Sequence, residues 1–311
     1  MKFKIGTRGS NLSLAQTNWV VSELKKINPQ VEFEIKTIKT LGDTDSRPLF
    51  TLEQKGIFEK EIDRAVAEKE VDFAVHSLKD IPSDLAPGLT LSCIPKRESI
   101  NDVFISKDNS TLENIKPKSV IGTSSLRRAV QISRIRNDVK IKPIRGNVES
   151  RIRKIQEGNY DAVVLAQAGI NRLGIDIKYT KLSTKDFPPS PGQGALGIVS
   201  REDDKETFSM LKQIENPDSR LEADAERALS KFVEVGCRFP VGAFAHSNEQ
   251  NLKLTVVAYS VDGTKSIMVE KTGNKNDPLA IGKMAGEELD KQGVKDLALN
   301  WREKLEEWNK K

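Results

Sequence analysis

An apolar run passes directly into a polar turn in Val71-Asp72-Phe73-Ala74-Val75-His76-Ser77-Leu78-Lys79-Asp80-Ile81-Pro82-Ser83. A charged helical pattern precedes the apolar run over 71–75, which predicts a short buried strand there. Pro82 ends regular strand pairing, because proline has no backbone N–H to donate. Ligands of α/β proteins bind where such strands end. The stretch therefore predicts an α/β fold with Lys79 and Asp80 at a ligand site; a solvated Lys-Asp pair at a strand end is the alternative.

The composition is that of a globular protein with more than one domain. The chain has 311 residues, of which 37% are hydrophobic, enough for several packed cores. No apolar segment is long enough to cross a membrane, and no signal-peptide core opens the chain, so we expect a cytoplasmic protein with no membrane partner. Cys93 and Cys237 fit a reducing compartment, and with only two histidines they predict no metal site.

Positive charge is concentrated in one part of the chain. Residues 123–154 hold ten Lys/Arg and two acids, a local net charge of +8, whereas the whole chain carries +5. The remainder is therefore slightly acidic, at about −3. Such a concentration predicts an anionic partner.

The order of the patterns predicts two α/β units with a site between them, followed by a smaller α+β domain. Ile5-Gly6-Thr7 and Ile121-Gly122-Thr123 each end a strand and lead into a helix with serine and arginine nearby. The strand expected over 195–200 returns to the first unit. A helix over 217–233 is followed by three strands and two helices, which is typical of a separate α+β domain.

The N-terminal unit carries two further predictions. Ser10 is expected to cap a helix that has Trp19 and Leu24 on or near its buried face. The segment from Gly42 to Gly56 has little periodicity. Because a loop of this length inside a domain is usually functional, we expect a lid over the site.

Two arginine-rich stretches begin helices in the second unit, Gly122-Thr123-Ser124-Ser125-Leu126-Arg127-Arg128 and Arg145-Gly146-Asn147-Val148-Glu149-Ser150-Arg151. Cations at a helix N-terminus oppose the helix dipole, and a bound anion would reverse that penalty. Gly146 allows the backbone to approach a ligand closely, and the guanidinium fork matches carboxylate or phosphate. The stretches predict an anion site; capped helices with solvated arginines are the alternative.

The residues around the positive charge bear on which anion binds. Nucleic-acid phosphates would suit the basic stretch, but residues 105–159 contain no Phe, Tyr or Trp on which bases could stack. No Walker A or Gly-x-Gly-x-x-Gly pattern occurs either. A polycarboxylated small molecule suits the paired arginines at least as well, and we expect no nucleic-acid partner.

Cys237 lies in a turn between Gly236 and Gly242, next to Arg238. A neighbouring cation favours the thiolate, which is the reactive form. No histidine is adjacent to act as a base, so a protease-like dyad is not supported. From these residues alone, a buried and inert cysteine is the alternative.

Several motifs occur in an order that resembles one family. They are Gly-Thr-Arg-x-Ser at 6–10, Lys55-Gly56-x-Phe58 with Lys60-Glu61, His76-Ser77-Leu78-Lys79-Asp80, the two arginine-rich stretches, Pro191-Gly192-Gln193-Gly194 and Gly236-Cys237. Through them the chain closely resembles the hydroxymethylbilane synthase (porphobilinogen deaminase) family over essentially its whole length, although its C-terminal part carries little motif. Val235 departs from the glycine that the family commonly has before Gly-Cys, which bears on the geometry of that loop.

The resemblance implies two lobes similar to those of type II periplasmic binding proteins and a small α+β C-terminal domain. The expected division is 1–99 with 195–213 for the first lobe, 100–194 for the arginine-rich second lobe, and 214–311 for the third domain. It also implies a monomeric transferase of porphyrin and heme biosynthesis.

The resemblance also implies the reaction. Family members carry a dipyrromethane cofactor, made from two porphobilinogen units, on a thioether to a cysteine that corresponds to Cys237. Four more porphobilinogen units are added head to tail with loss of ammonia, and water releases the linear tetrapyrrole hydroxymethylbilane. Loss of ammonia leaves an azafulvene cation that a fixed carboxylate can stabilise, and Asp80 matches the family's aspartate in that role.

The positions that match the family's cofactor- and substrate-binding residues are mostly cationic or hydroxyl-bearing, which suits the acetate and propionate groups of each pyrrole. They are Arg8, Ser10, Lys55, Ser77, Lys79, Thr123, Ser124, Ser125, Arg127, Arg128, Arg145, Gly146, Arg151, Arg172 and Gln193. The rival expectation is a non-catalytic bilobed protein that binds a small polycarboxylate through the same arginines and leaves Asp80 and Cys237 idle.

Overall fold

The computed structural model describes residues 1–40, 59–233 and 240–297, together with residue 303. The predicted lid from Gly42 to Gly56, with Lys55, lies outside the described residues, and so does the loop with Val235 and Cys237. In the part of the chain that is described, no helix is long and apolar enough to cross a membrane.

Strands and helices follow the predicted order closely. Within the described ranges the strands are β1 (Lys2–Thr7), β2 (Glu32–Thr37), β3 (Phe73–Ser77), β4 (Leu89–Cys93), β5 (Asp102–Ser106), β6 (Val120–Gly122), β7 (Lys140–Lys142), β8 (Ala162–Ala166), β9 (Thr180–Lys181), β10 (Leu196–Arg201), β11 (Val241–Ser247), β12 (Asn251–Tyr259) and β13 (Ser266–Asn274). The α-helices are α1 (Asn11–Ile27), α2 (Lys60–Ala67), α3 (Leu126–Ile135), α4 (Val148–Gln156), α5 (Gln167–Leu173), α6 (Lys205–Lys212), α7 (Pro217–Val233), α8 (Pro278–Lys291) and α9 (Val294–Leu297).

Two five-stranded mixed sheets form the two lobes. Their strand orders are β2-β1-β3-β10-β4 and β7-β6-β8-β5-β9. In the first sheet β10 runs antiparallel between β3 and β4, and in the second β5 runs antiparallel between β8 and β9. The return of β10 to the first sheet confirms the prediction for residues 195–200. The chain therefore crosses between the lobes twice, after β4 and again after β9.

The third sheet is antiparallel, with the order β11-β12-β13. Helices α7 and α8 cover it, and Leu229, Leu254 and Ile281 are among the buried residues of their common core. This arrangement confirms the predicted α+β unit at the C-terminal end.

Strand β3 is buried on both faces, as its continuous apolar sequence predicted. Phe73 and Val75 belong to the core on one face of the first sheet, whereas Ala74 belongs to the core on the other. The strand begins two residues later than predicted, because the Val71 N–H still donates to Ala65 O at the end of α2. Complete burial of a side chain such as Phe73 or Val75 stabilises the fold by about 1.5–3 kcal/mol.

Helix α1 starts where Ser10 was expected to cap it, since the Ser10 hydroxyl accepts from the Ser13 N–H at 3.3 Å. The prediction for Trp19 is wrong, because its side chain is 36% exposed. The helix instead buries Gln16 and Thr17. Gln16 Nε2 donates to Ser77 Oγ at 2.9 Å, so a hydrogen bond to the end of β3 sets the rotation of the helix.

Candidate active site

A single turn of 3₁₀ helix, Leu78–Asp80, continues β3 beyond the edge of the first sheet. Leu78 is buried and its N–H donates to Ala195 O at 3.0 Å, which anchors the turn. The Ile81 N–H closes the turn by donating to Leu78 O at 3.1 Å. Lys79 is half-buried and Asp80 is exposed. The two polar residues thus lie at the carboxyl end of a buried strand, where the sequence predicted a ligand site.

Lys79 lies among charges from both lobes. The pKa of its ammonium group is lowered, chiefly because the surrounding protein displaces water from it. The negative charge of Asp80 opposes this shift, and the positive charge of Arg128 adds to it. Asp102 raises the pKa and Arg127 lowers it, both to a smaller extent. The turn of the first lobe therefore faces the arginine pair that begins α3 of the second lobe.

Asp102 holds that arginine pair in place, a role that was not predicted from the sequence. Its carboxylate is fully buried at the start of β5. Oδ2 accepts from Arg127 Nη2 at 2.9 Å, and Oδ1 accepts from Arg128 at 2.7 Å (Nη2) and 3.2 Å (Nε). Burial alone would raise the pKa of this carboxyl, but the two guanidiniums lower it far below its usual range.

Further hydrogen bonds fix the two guanidiniums. Arg127 Nη1 donates to Gln131 Oε1 at 2.9 Å and to Pro188 O at 2.8 Å, whereas Arg128 Nη1 donates to Val164 O at 3.2 Å. Buried charges are tolerated only when they are paired and hydrogen-bonded in this way. Because two cations share one carboxylate, the cluster keeps an excess positive charge that an anionic ligand can neutralise.

Gln193 connects Asp102 to the first lobe. Its Nε2 donates to Asp102 Oδ1 at 2.9 Å and to Ile100 O at 2.8 Å, and its carbonyl oxygen accepts from Arg97 Nε at 2.9 Å. Its Oε1 is buried and has no hydrogen-bond partner among the described residues. Gln193 therefore has a structural role in the crossing between the lobes and one acceptor left for a ligand N–H.

Arg151 and Arg172 are cations that the protein partly removes from water. Burial lowers the pKa of Arg151 to about 10, with a further contribution from Arg128. Burial also lowers the pKa of Arg172 to about 10, and Glu98 acts in the opposite direction. Neither guanidinium forms a salt bridge with a carboxylate of the described residues; they donate to Gly146 O at 2.8 Å and Gly194 O at 2.7 Å. A bound carboxylate would compensate both.

The predicted hydroxyl residues of the second lobe shape the backbone there. Ser125 caps α3 by accepting from the Arg128 N–H at 3.4 Å, and Thr123 Oγ1 accepts from the Ser125 N–H at 3.2 Å. Ser124 Oγ accepts from the Ile144 N–H at 3.2 Å. These bonds join the ends of β6 and β7 to the start of α3, next to the arginine pair.

Gly146 adopts a backbone conformation that favours glycine. Its φ is +110°, and a Cβ there would lie 2.0 Å from Ser150 Oγ. Arg145, just before it, is exposed. Glycine is therefore required by the geometry of the turn itself, whereas the close approach of a ligand to Gly146 stays a prediction.

The remaining predicted residues lie at the ends of neighbouring strands in the first lobe. Arg8 and Ser10 follow β1, and Ser77 ends β3, which runs parallel to β1 and pairs with it. Parallel strands present their carboxyl ends at one edge of the sheet. The structure thus brings Arg8, Ser10, Ser77, Lys79 and Asp80 to the same edge.

Two family models match the chain in succession. The porphobilinogen deaminase, dipyromethane cofactor binding domain matches residues 3–209, and the porphobilinogen deaminase C-terminal domain matches residues 220–291. Together they extend over both lobes and the α+β unit.

Relatives of full length are similar to the chain throughout. The probable porphobilinogen deaminase of Nitrosopumilus maritimus (strain SCM1) is 69% identical over 310 residues, covering 100% of both chains. The porphobilinogen deaminase of Brevibacillus brevis (strain 47 / JCM 6285 / NBRC 100599) is 43% identical over 299 residues, covering 95% of this chain and 96% of the relative. With both lobes and the α+β unit matched in this way, the chain belongs to the porphobilinogen deaminase family.

Proposed function

We propose that the chain is a hydroxymethylbilane synthase, a transferase that joins four porphobilinogen molecules head to tail on a dipyrromethane primer and releases hydroxymethylbilane for porphyrin and heme biosynthesis. One observation carries the proposal beyond family membership. The Lys79-Asp80 turn of the first lobe faces the Arg127-Arg128 pair of the second, closely enough for their charges to shift the pKa of Lys79. A reaction that forms a cation within a growing polyanion needs this combination of one carboxylate and several cations.

The residues present fit a dipyrromethane group. Arg151 and Arg172 are desolvated guanidiniums without a carboxylate partner in the described chain, and Gln193 Oε1 is a buried acceptor without a donor there. Pyrrole acetate and propionate groups would pair with the arginines, and a pyrrole N–H would suit the glutamine. When bound, the group supplies the nucleophilic terminal pyrrole carbon. Cys237 is proposed to hold it through a thioether.

Asp80 is proposed to act on each incoming porphobilinogen. Breaking the bond between the aminomethyl carbon and nitrogen releases ammonia and leaves a cation delocalised over the pyrrole. A fixed carboxylate beside the pyrrole N–H stabilises that cation and can move a proton as the new carbon–carbon bond forms. Lys79, Arg127 and Arg128 are proposed to hold substrate carboxylates, and Arg151 to hold those of the cofactor and of the substrate units added to it. Their positive charge prevents the growing chain from repelling Asp80.

The proposed division of the chain is 1–99 with 195–213, 100–194 and 214–311. Its support is that each of the three sheets draws its strands from one of these sets. We also propose a monomer, as the family resemblance implies, and a location in the cytoplasm.

The function is tested by incubating the purified chain with porphobilinogen, measuring the ammonia released, and reading uroporphyrin absorbance after oxidation. We expect four molecules of ammonia for each tetrapyrrole released. Binding of porphobilinogen without ammonia release would favour the non-catalytic polycarboxylate-binding protein instead.

A further inference from the structure

Helix α7 reaches across to the segment that directly follows Asp80. Three consecutive carbonyl oxygens of that segment accept hydrogen bonds from one guanidinium. Arg227 Nη2 donates to Pro82 O at 2.8 Å and Ser83 O at 3.0 Å, and Nη1 donates to Ile81 O at 3.4 Å. One side chain of the α+β unit thus fixes the backbone that leaves the Asp80 turn.

The residue before Arg227 holds the other flank of the turn. Glu226 is fully buried and accepts from the Gly192 N–H at 2.6 Å and from Arg97 Nη1 and Nη2 at 2.7 and 2.9 Å. Gly192 has a φ of +74°, and a Cβ there would lie 3.0 Å from the backbone nitrogen of Lys79. Consecutive residues of α7 therefore hold the segment that follows the Leu78–Asp80 turn and the glycine that packs against the backbone of Lys79.

The guanidinium of Arg227 donates its hydrogen bonds to backbone carbonyls rather than to a carboxylate. Burial lowers its pKa, and the charge of Asp224 partly opposes that effect. In the described chain Arg227 forms no salt bridge, and the hydrogen bonds that it donates go to the three carbonyls. Such a clamp orients the chain without neutralising the cation, and five N–H groups in a rigid fork make arginine suited to it.

We infer that Arg227 is a positioning residue, which holds the Asp80 turn at a fixed place relative to the helix that leads to Cys237. The helix ends at Val233, and Cys237 follows four positions later in the sequence. The inference rests on the proposed function, in which Asp80 stabilises a cation formed next to a chain tethered at Cys237. Preorganised charge loses much of its effect when it is misplaced, by about a hundredfold in rate for 1 Å.

Lys231 offers a matched control on the same helix. It lies one turn beyond Arg227, and its Nζ is 2.7 Å from Asp84 Oδ1 in the same segment. Both side chains are mostly exposed, at 65% and 74%, and exposed ion pairs contribute little. Lys231→Met therefore removes a cation from the same surface without touching the carbonyl clamp.

The first experiment compares Arg227→Met, Arg227→Lys and Lys231→Met with the parent holoenzyme. Rates are expressed per chain that carries the pyrrole adduct, which mass spectrometry counts. We expect Arg227→Met to lower kcat about 10- to 100-fold with KM for porphobilinogen within about twofold. Arg227→Lys should recover part of the loss, and Lys231→Met should match the parent. A kcat for Arg227→Met within about twofold of the parent would overturn the inference.

Combination with Asp80→Asn separates this inference from the function on which it rests. If Arg227 acts through Asp80, Arg227→Met should cost little more in the Asp80→Asn background, measured as a single turnover of the first porphobilinogen. Fully additive losses would contradict positioning through Asp80. If Asp80→Asn alone were as fast as the parent, the proposed role of Asp80 would fail, and the positioning role with it.

A readout independent of activity is hydrogen exchange in the loaded holoenzyme. The amides of Leu78 and Ile81 are hydrogen-bonded in the turn, so their exchange reports how firmly it is held. We expect Arg227→Met to speed their exchange about tenfold and Lys231→Met to leave it unchanged. Unchanged exchange in Arg227→Met, or faster exchange throughout the three sheets, would contradict a local positioning role.

Discussion

Asp102 Oδ1 lies 2.7 Å from Arg128 Nη2, and the same oxygen lies 2.9 Å from Gln193 Nε2. The carboxylate is fully buried, so bulk solvent does not compensate for a lost partner. It fixes the arginine pair of the second lobe and binds the segment that crosses to the first. The positive charge proposed to hold pyrrole carboxylates thus depends on a buried negative charge behind it.

Asp102→Asn should destabilise the protein by about 3–5 kcal/mol, because it leaves two buried guanidiniums without their counter-charge. Chemical denaturation measures this loss as a lower midpoint. Asp138→Asn is the control, since Asp138 also pairs with an arginine, Arg136, at 2.7 Å but on the surface. Equal midpoints for the two variants would contradict the claim that the buried carboxylate of Asp102 contributes more to stability than the surface carboxylate of Asp138.

The stability contributed by Asp102 should depend on pH in a defined direction. Its pKa in the folded protein lies well below the ordinary value, so the contribution is complete above the unfolded-state pKa of about 3.9. It is lost as the pH falls from there towards the lower folded-state pKa. Below pH 4 (roughly the unfolded pKa), the free energy of unfolding should therefore fall more steeply with decreasing pH for the parent than for Asp102→Asn. An equal dependence on pH in the two proteins would exclude the effect.

Arg151→Gln should weaken substrate binding, because a desolvated guanidinium without a carboxylate partner is expected to hold a pyrrole carboxylate. We expect KM for porphobilinogen to rise about tenfold, which corresponds to about 1.4 kcal/mol. Arg153→Gln on the same helix is the control, since the Arg153 side chain is 67% exposed and pairs loosely with Glu157. If both variants raised KM alike, general electrostatic attraction would replace a specific contact.

Cys237→Ser should yield a chain without the pyrrole adduct, because a hydroxyl does not form the thioether. Cys93→Ala should keep the adduct. Cys93 is buried in the first lobe, and burial raises the pKa of its thiol to about 12, so it stays protonated and unreactive. Intact-protein mass spectrometry distinguishes the two variants. An adduct on the Cys237→Ser protein would show that another residue carries the pyrrole group.

The elements around the site were predictable because their signals are local. The apolar run before His76 gave β3, and Ser10 gave the start of α1. Trp19 was misplaced because the face of α1 that buries Val20 and Leu24 also carries Gln16 and Thr17, whose hydrogen bonds to Ser77 and Thr7 hold it against the sheet.

Arg97, Asp102 and Glu226, which organise the site, were missed because their partners are far away in the sequence. Arg97 and Glu226 are 129 positions apart, and Asp102 and Gln193 are 91 apart. A signal was present in each case. Asp102 begins an otherwise apolar strand, and Glu226 lies between the buried Ala225 and Leu229 of α7. A charge at an apolar position predicts a buried partner without saying which one.

The assignment of Asp80 is tested most directly by Asp80→Asn in the loaded enzyme. The variant keeps the size of the side chain and should keep its pyrrole adduct, so mass spectrometry and turnover are measured on the same sample. We expect an adduct of two pyrrole units, bound porphobilinogen, and ammonia release lowered by at least about a hundredfold. Near-normal ammonia release by the loaded Asp80→Asn enzyme would contradict it.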